Sequence, residues 1–208
     1  MPITSTGAWT KNYEAIKRYW ALRWSPVSSQ PFGSIVDENG ASLFYVNSFA
    51  YNALALPLNG ISQSASSSGY ADCLNLVLGG QQSSVTPSED DYTIYGPIRN
   101  SDILEYRNVT NTPLNASQEE GYFLGGIRSS ATIQNKSTSP ITVYEWGLYT
   151  NIKSTITERI DSTAYAYRNV LLYRGVLSEP VTLGQWDTIT ITFVRYMKVA
   201  PQENGTTP

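Results

Sequence analysis

The chain has 208 residues, of which 41% are hydrophobic and only 15% are charged, and its formal net charge is -3. This length and apolar content support one sizeable core and argue against disorder, and the net negative charge argues against nucleic acid as the main partner. Histidine is absent and Cys73 is the one cysteine, which excludes Ser-His-Asp and Cys-His catalysis, His-ligated metal sites and an intramolecular disulfide.

The first residues, "MPITSTGAWTKNYE", lack the apolar segment of a signal peptide. No apolar run approaches the roughly 20 residues that a membrane span needs. We therefore expect a protein that is made in a cytoplasm and leaves it by no secretory route. Cys73, beside Leu74 and Leu76, is interpreted as a small buried apolar residue.

The segment "TKNYEAIKRYWALRWSP" predicts a helix over residues 10–24, because its apolar side chains recur near a 3.6-residue spacing and Pro26 follows. Four basic residues and one acidic residue give residues 1–24 a charge of +3, which leaves -6 for the remainder. The helix either covers an edge of the domain or is a docking arm for a partner protein; a membrane-surface helix is a third interpretation. The candidate docking residues are Tyr13, Ile16, Trp20, Trp24, Lys17, Arg18 and Arg23.

After Pro26 the pattern changes to short strands separated by turns. Residues 42–51, 73–80, 101–111, 122–135 and 187–196 are the main predicted strands, and residues 59–70 form a polar loop. In the last strand Ile189 and Ile191 alternate with Thr190 and Thr192, so one face is apolar and the other polar. The spacing indicates an all-β fold, an antiparallel β-sandwich or jelly roll. We divide the chain into an N-terminal arm or helix (1–26), a sandwich (27–196) and a flexible tail (197–208).

The acidic cluster Glu89, Asp90 and Asp91 lacks the alternating ligands and the glycine of a calcium loop. It is interpreted as a solvated loop. A pair of carboxylates that cuts a glycan remains open, but no acid stands in a recognisable motif. The 25 aromatic residues suit a sugar-binding face or a sandwich core. We predict no catalytic residue, no cofactor and no metal.

Glu145 lies in the apolar strand "ITVYEWGLY" (141–149), and Arg174 lies in the apolar strand "NVLLYRGVL" (169–177). A buried carboxylate without a partner is costly, so we expect each of these two charged side chains to contact the other. We predict that the two strands pair antiparallel and that Glu145 and Arg174 form a structural ion pair. The predicted register places Glu145 opposite Arg174, with Tyr149 opposite Val170, Gly147 opposite Leu172 and Val143 opposite Val176.

The stretches "LNLVLGGQQSSVTPSEDDYTIYGPI" (74–98), "ITVYEWGLY" and "NVLLYRGVLSEPVTLGQWDTITITFVRY" (169–196) resemble segments of accessory virion proteins of tailed bacteriophages. The resemblance covers about residues 74–98 and 120–196, and "GQWDT" replaces the more usual glycine-rich turn. It implies a structural protein of the virion, assembled in the host cytoplasm. Such a protein packs in multiple copies onto capsid, portal, neck or tail neighbours and forms a homo-oligomer in the particle. From the net negative charge and the absence of a long apolar run we expect neither nucleic acid nor a membrane as a partner.

Capsid decoration or head-fibre attachment is the role that we expect first. The alternative is a tail-fibre, baseplate or receptor- or glycan-binding module, in which exposed Tyr and Trp side chains grip sugar.

Overall fold

The computed structural model describes residues 5–22, 35–41, 74–119, 122–155 and 165–199. Strands dominate, and one short helix is present among the described residues. The elements are β1 (Ser5–Trp9), α1 (Lys11–Leu22), β2 (Asn75–Gly79), β3 (Pro97–Ile98), β4 (Leu104–Glu119), β5 (Tyr122–Asn135), β6 (Ile141–Thr155), β7 (Tyr165–Leu183) and β8 (Thr188–Val199). The predicted strands over residues 42–51 and the loop over 59–70 lie outside the described residues, as does Cys73.

The described strands form two antiparallel sheets, one with the order β1-β7-β6-β2-β3 and one with the order β4-β5-β8. Among the described residues, the main apolar core joins the sheets, and both sheets contribute buried side chains to it. Members of this core include Leu76, Leu78, Trp146, Leu148 and Leu172 from the larger sheet and Leu104, Ala131, Ile133, Ile189 and Ile191 from the smaller one. The prediction of an all-β sandwich is confirmed.

The last strand, β8, shows how the alternation of side chains produces this layering. Ile189 and Ile191 are buried, whereas Thr190 and Thr192 are exposed on the outer face. The two threonine hydroxyls lie 2.9 Å from the hydroxyls of Thr132 and Ser130 on the neighbouring strand. Such cross-strand pairs stabilise a sheet on its solvent face.

The described part of the N-terminal segment is built into the sandwich. All five residues of β1 pair with β7, from Ser5 opposite Leu177 to Trp9 opposite Tyr173. The helix prediction is confirmed over Lys11–Leu22. However, Tyr13 and Ile16 are buried in the main core, so the boundary at residue 26 does not separate an arm from the domain. The strand was missed because "STGAW" has no apolar alternation.

The other end of the chain also extends the sandwich beyond its predicted limit. Strand β8 continues to Val199, three residues into the segment that was expected to be a flexible tail. Residues 200–208 lie outside the described part of the chain, and the prediction for them stays open.

A smaller apolar cluster lies apart from the main core. Val77, Ile94, Tyr149 and Leu171 form it, and each is at most 1% exposed. Three of these residues come from strands of the larger sheet, and Ile94 comes from the connection between β2 and β3. The connection, residues 80–96, therefore covers part of a sheet; we call it the 80–96 loop.

Candidate functional site

The 80–96 loop has no regular secondary structure along its whole length. Loops longer than about 12–15 residues without helices or strands are uncommon in compact domains, and those that are ordered are usually functional. The 80–96 loop is therefore a candidate functional element, and its contacts with the sheet determine its position.

Glu145 and Arg174 form the ion pair that the sequence predicts. Arg174 Nε donates to Glu145 Oε2 at 2.7 Å, and the two side chains are 0% and 1% exposed. They belong to neighbouring antiparallel strands, β7 and β6. The predicted contact between these two side chains is confirmed.

The predicted register of the two strands is wrong. Gly147 lies opposite Arg174, and Glu145 lies opposite Val176, so the charges meet diagonally. The pairing shifts between Val143 and Glu145 and again between Leu148 and Tyr149, because β7 has extra residues at both points. The shifts also change faces: Val143 and Leu172 belong to the main core, on the other side of the sheet from the ion pair.

The ion pair extends into the 80–96 loop. Arg174 Nη1 donates to Asp91 Oδ2 at 3.1 Å, and Arg174 Nη2 donates to the carbonyl of Val85 at 3.2 Å. The backbone amide of Tyr95 donates to Glu145 Oε1, and the guanidinium lies over the ring of Tyr95, 4.9 Å from its centroid. We call Glu145, Arg174 and Asp91 the loop anchor. It attaches the loop to the sheet at three points along its length.

Burial and charge act in opposite directions on Arg174. Burial alone lowers the pKa of its guanidinium, but the hydrogen bonds and negative charges of Glu145 and Asp91 outweigh that effect and raise the pKa. Arg174 therefore stays charged inside the protein, and its five N–H donors require more acceptors than one carboxylate supplies. Asp91 and the Val85 carbonyl supply them.

Tyr149 provides a second attachment for the loop. Its hydroxyl accepts a hydrogen bond from the amide of Ile94 at 2.9 Å, and burial raises the pKa of the phenol. The guanidinium of Arg99 lies 4.5 Å from the centre of the Tyr149 ring. Ile94 is thus held by a polar contact and by the apolar cluster around it.

The three acids of the predicted solvated cluster have different roles. Asp91 belongs to the loop anchor and also accepts from the amide of Ser88 at 2.9 Å. Asp90 and Glu89 are exposed and lie 2.5 and 3.5 Å from the ammonium of Lys11. The interpretation as a solvated loop is wrong for Asp91, since the buried Arg174 draws that side chain inward. Within the described ranges, no group of three or more His, Cys, Asp or Glu side chains is arranged to hold a metal ion.

The outward side of the 80–96 loop is apolar and aromatic. Val85, Tyr92 and Tyr95 are 49%, 44% and 36% exposed. They are three of the four large hydrophobic residues that the described part of the chain exposes. The fourth is Trp186, which is 56% exposed in the turn between β7 and β8 and has φ at 70°. Glycine adopts this left-handed conformation without steric strain, so the turn would favour a glycine at this position.

The predicted docking residues do not form one surface. Tyr13 and Ile16 face the core, which rules them out as an exposed docking face. Lys17, Arg18 and Trp20 lie on α1, and docking through them stays a prediction. Arg23 and Trp24 lie outside the described residues. Removing residues 1–24 would delete a strand and two core side chains, so this truncation is not a clean test of docking.

The sequence pattern alone does not identify the residues through which the ion pair reaches the loop. Part of the evidence for them is in the sequence, because a buried arginine needs several acceptors and the segment "SEDD" (88–91) contains three carboxylates. Nothing in the pattern indicates the contacts to the backbone of Val85 and Tyr95.

In the part of the chain that the structure describes, no helix is long and apolar enough to cross a membrane. The chain matches no known protein-family model, no curated protein and no solved structure.

Proposed function

We propose that the protein is an accessory structural protein of a tailed-bacteriophage particle. It packs in multiple copies onto capsid, neck or tail neighbours, with capsid decoration or head-fibre attachment as its first role. The sequence resemblance over residues 74–98 and 120–196 supports the proposal, since those segments supply the 80–96 loop and the strands that anchor it. The proposal needs no catalytic chemistry.

The observation that carries the proposal is the anchored 80–96 loop. A loop that is already fixed loses little conformational freedom when it binds, so more of the contact energy is retained as affinity. Its exposed Tyr92, Tyr95 and Val85 are of the aromatic and apolar kind found at the centres of protein interfaces. We therefore place the contact with a neighbouring particle protein on this loop.

The first experiment is the copy number of the protein in purified virions, measured by quantitative mass spectrometry. Hundreds of copies would assign it to the capsid, and a dozen or fewer to the neck or tail, because each location has its own symmetry. Absence of the protein from purified particles would refute the proposal.

The second experiment tests the loop. The double substitution Tyr92→Ala with Val85→Ala removes exposed apolar surface and leaves the loop anchor intact, because the anchor uses the Val85 carbonyl and not its side chain. We expect the folded variant to be incorporated poorly into particles. Trp186→Ala is the matched control, since it removes an exposed aromatic outside the loop. Normal incorporation of the double variant would refute a docking role for the loop.

A receptor- or glycan-binding module of a tail fibre or baseplate is the second candidate. The observation that favours it is Trp186, whose ring is exposed on a tight turn where a sugar could stack on it. A glycan array with the full chain, compared with Trp186→Ala, separates this role from particle docking.

A further inference from the structure

An aromatic cavity of about 290 Å³ opens between the two sheets, between β1 of the larger sheet and β8 of the smaller one. Its walls include Trp9, Trp146, Leu148, Tyr173 and Phe193. This volume is near the lower end of the roughly 300–1,000 Å³ of small-molecule sites. It suits one ring system or one large side chain.

Four aromatic rings form a continuous wall around this cavity. The centroid of Tyr173 lies 5.0 Å from that of Trp9 and 5.0 Å from that of Trp146, and Trp146 lies 5.6 Å from Phe193. Each ring is therefore fixed by its neighbours. The cavity is pre-formed, so an occupant would not have to order its walls.

The lining shows which chemistry fits. None of the lining residues carries a charge, and the side-chain hydroxyl groups on the cavity side belong to Ser5 and Tyr173. The hydroxyl of Thr192, a further lining residue, lies on the outer face of its sheet, 2.9 Å from that of Ser130. A charged group or a sugar with several hydroxyls would leave polar atoms unpaired here, which is costly. An uncharged aromatic or large aliphatic group would not.

The edge of β1 with which no described strand pairs runs along the cavity. Among the described strands β1 stands at one edge of its sheet, opposite β3, and its five residues, "STGAW", include no charge and no proline. Charges and prolines are the usual means of preventing another strand from adding to an edge. A Cβ atom at Gly7 would overlap the Tyr173 hydroxyl, so the glycine allows this ring to lie against β1.

We propose that the cavity and the edge of β1 together accept an extended, uncharged segment of a partner protein. The segment pairs with β1 and inserts one aromatic or large aliphatic side chain between the rings. Its lack of charge matches that of both the strand and the cavity. A protein segment is favoured over a free small molecule because the backbone groups of a strand edge lie beside the cavity and bind extended chains. This site is separate from the 80–96 loop and does not depend on a virion role.

The experiment uses the full chain labelled with ¹⁵N and two blocked pentapeptides, Thr-Thr-Trp-Thr-Thr and the same peptide with Asp at its centre. We expect the Trp peptide to shift the resonances of the cavity residues and to slow amide exchange in β1. The Asp peptide should bind at least tenfold more weakly. Equal binding of the two peptides, or no binding of the Trp peptide at millimolar concentration, would overturn the proposal. These two results need no variant protein.

Two variants provide a matched test of the place of binding. Ser5→Arg puts a charge at the cavity, whereas Thr6→Arg changes the next residue of β1, which is also exposed but does not line the cavity. We expect the first to abolish binding of the Trp peptide and the second to retain it. Equal binding by the two variants would contradict the assigned site. Indole is the third probe: if it binds while the Trp peptide does not, the occupant is a small molecule and the proposed protein segment is wrong.

Discussion

Replacing Glu145 by alanine tests the loop anchor most directly. The substitution removes the acceptor of Arg174 Nε and of the Tyr95 amide and leaves a fully buried guanidinium with less compensation. Breaking a buried ion pair by removing one partner typically costs about 3–5 kcal/mol. Because Asp91 still faces Arg174 at 3.1 Å, we expect a loss in the lower half of that range, about 3–4 kcal/mol.

The assay is urea unfolding of the full chain, followed by circular dichroism and accompanied by hydrogen exchange at the Tyr95 amide. The control is Glu105→Ala, which removes the exposed partner of Arg107, an ion pair of 2.9 Å. Exposed pairs contribute about 0–1 kcal/mol, so the control should change stability little. A loss below about 1 kcal/mol for Glu145→Ala, no greater than for an exposed pair, would refute the reasoning.

The double variant Glu145→Ala with Arg174→Met tests whether the uncompensated charge of Arg174 causes the loss of stability. If the cost of Glu145→Ala comes mainly from the stranded charge, removing that charge should restore part of the stability. A double variant at least as unstable as the sum of the two single variants would show that packing, and not charge, dominates at this position.

Three further predictions concern other parts of the structure. Burial raises the pKa values of Tyr106 and Tyr149 above the roughly 10 of an unfolded chain. The contribution of the two neutral phenols to the free energy of unfolding is therefore complete below about pH 10 and is lost as pH rises further. Between pH 8 and pH 11 the melting temperature should fall more for the wild type than for Tyr149→Phe, and equal falls would contradict this prediction. Gly79→Ala places a Cβ atom 2.6 Å from Glu145 Cγ and should cost about 1–3 kcal/mol in urea unfolding, whereas Gly125→Ala, with nothing within 4 Å, is the control that should cost less. Trp186→Gly relieves a left-handed conformation and should raise the unfolding free energy by up to about 1–2 kcal/mol; a clear loss of stability would show that the exposed indole contributes to the fold.

Side-chain periodicity was enough to predict the sandwich. Where one face of a strand meets solvent, as in β8, threonine and isoleucine alternate and identify both the strand and its buried face. The ion pair was predictable for a related reason, since a charge within an apolar strand requires an opposite charge in a similar position. These features are local, or depend on a rare residue type in an apolar run.

The register of β6 and β7 was not predictable, because the extra residues in β7 that shift it leave no trace in the pattern of polar and apolar residues. The same holds for β1, whose pairing with β7 joins segments far apart in the chain. The loop anchor was missed in part because two of its contacts are to backbone atoms. Any residue type has those atoms, so the sequence does not mark them.

Because the 80–96 loop is attached largely through backbone atoms, the protein could acquire new binding partners without changing the fold of the loop. The sheet holds the 80–96 loop through the carbonyl of Val85 and the amides of Ile94 and Tyr95, and Asp91 is the one loop side chain in the anchor. Outward side chains can then be exchanged while the loop keeps its path. A library randomised at positions 85 and 92, with Asp91 retained, would therefore sample new binding specificities on an unchanged scaffold.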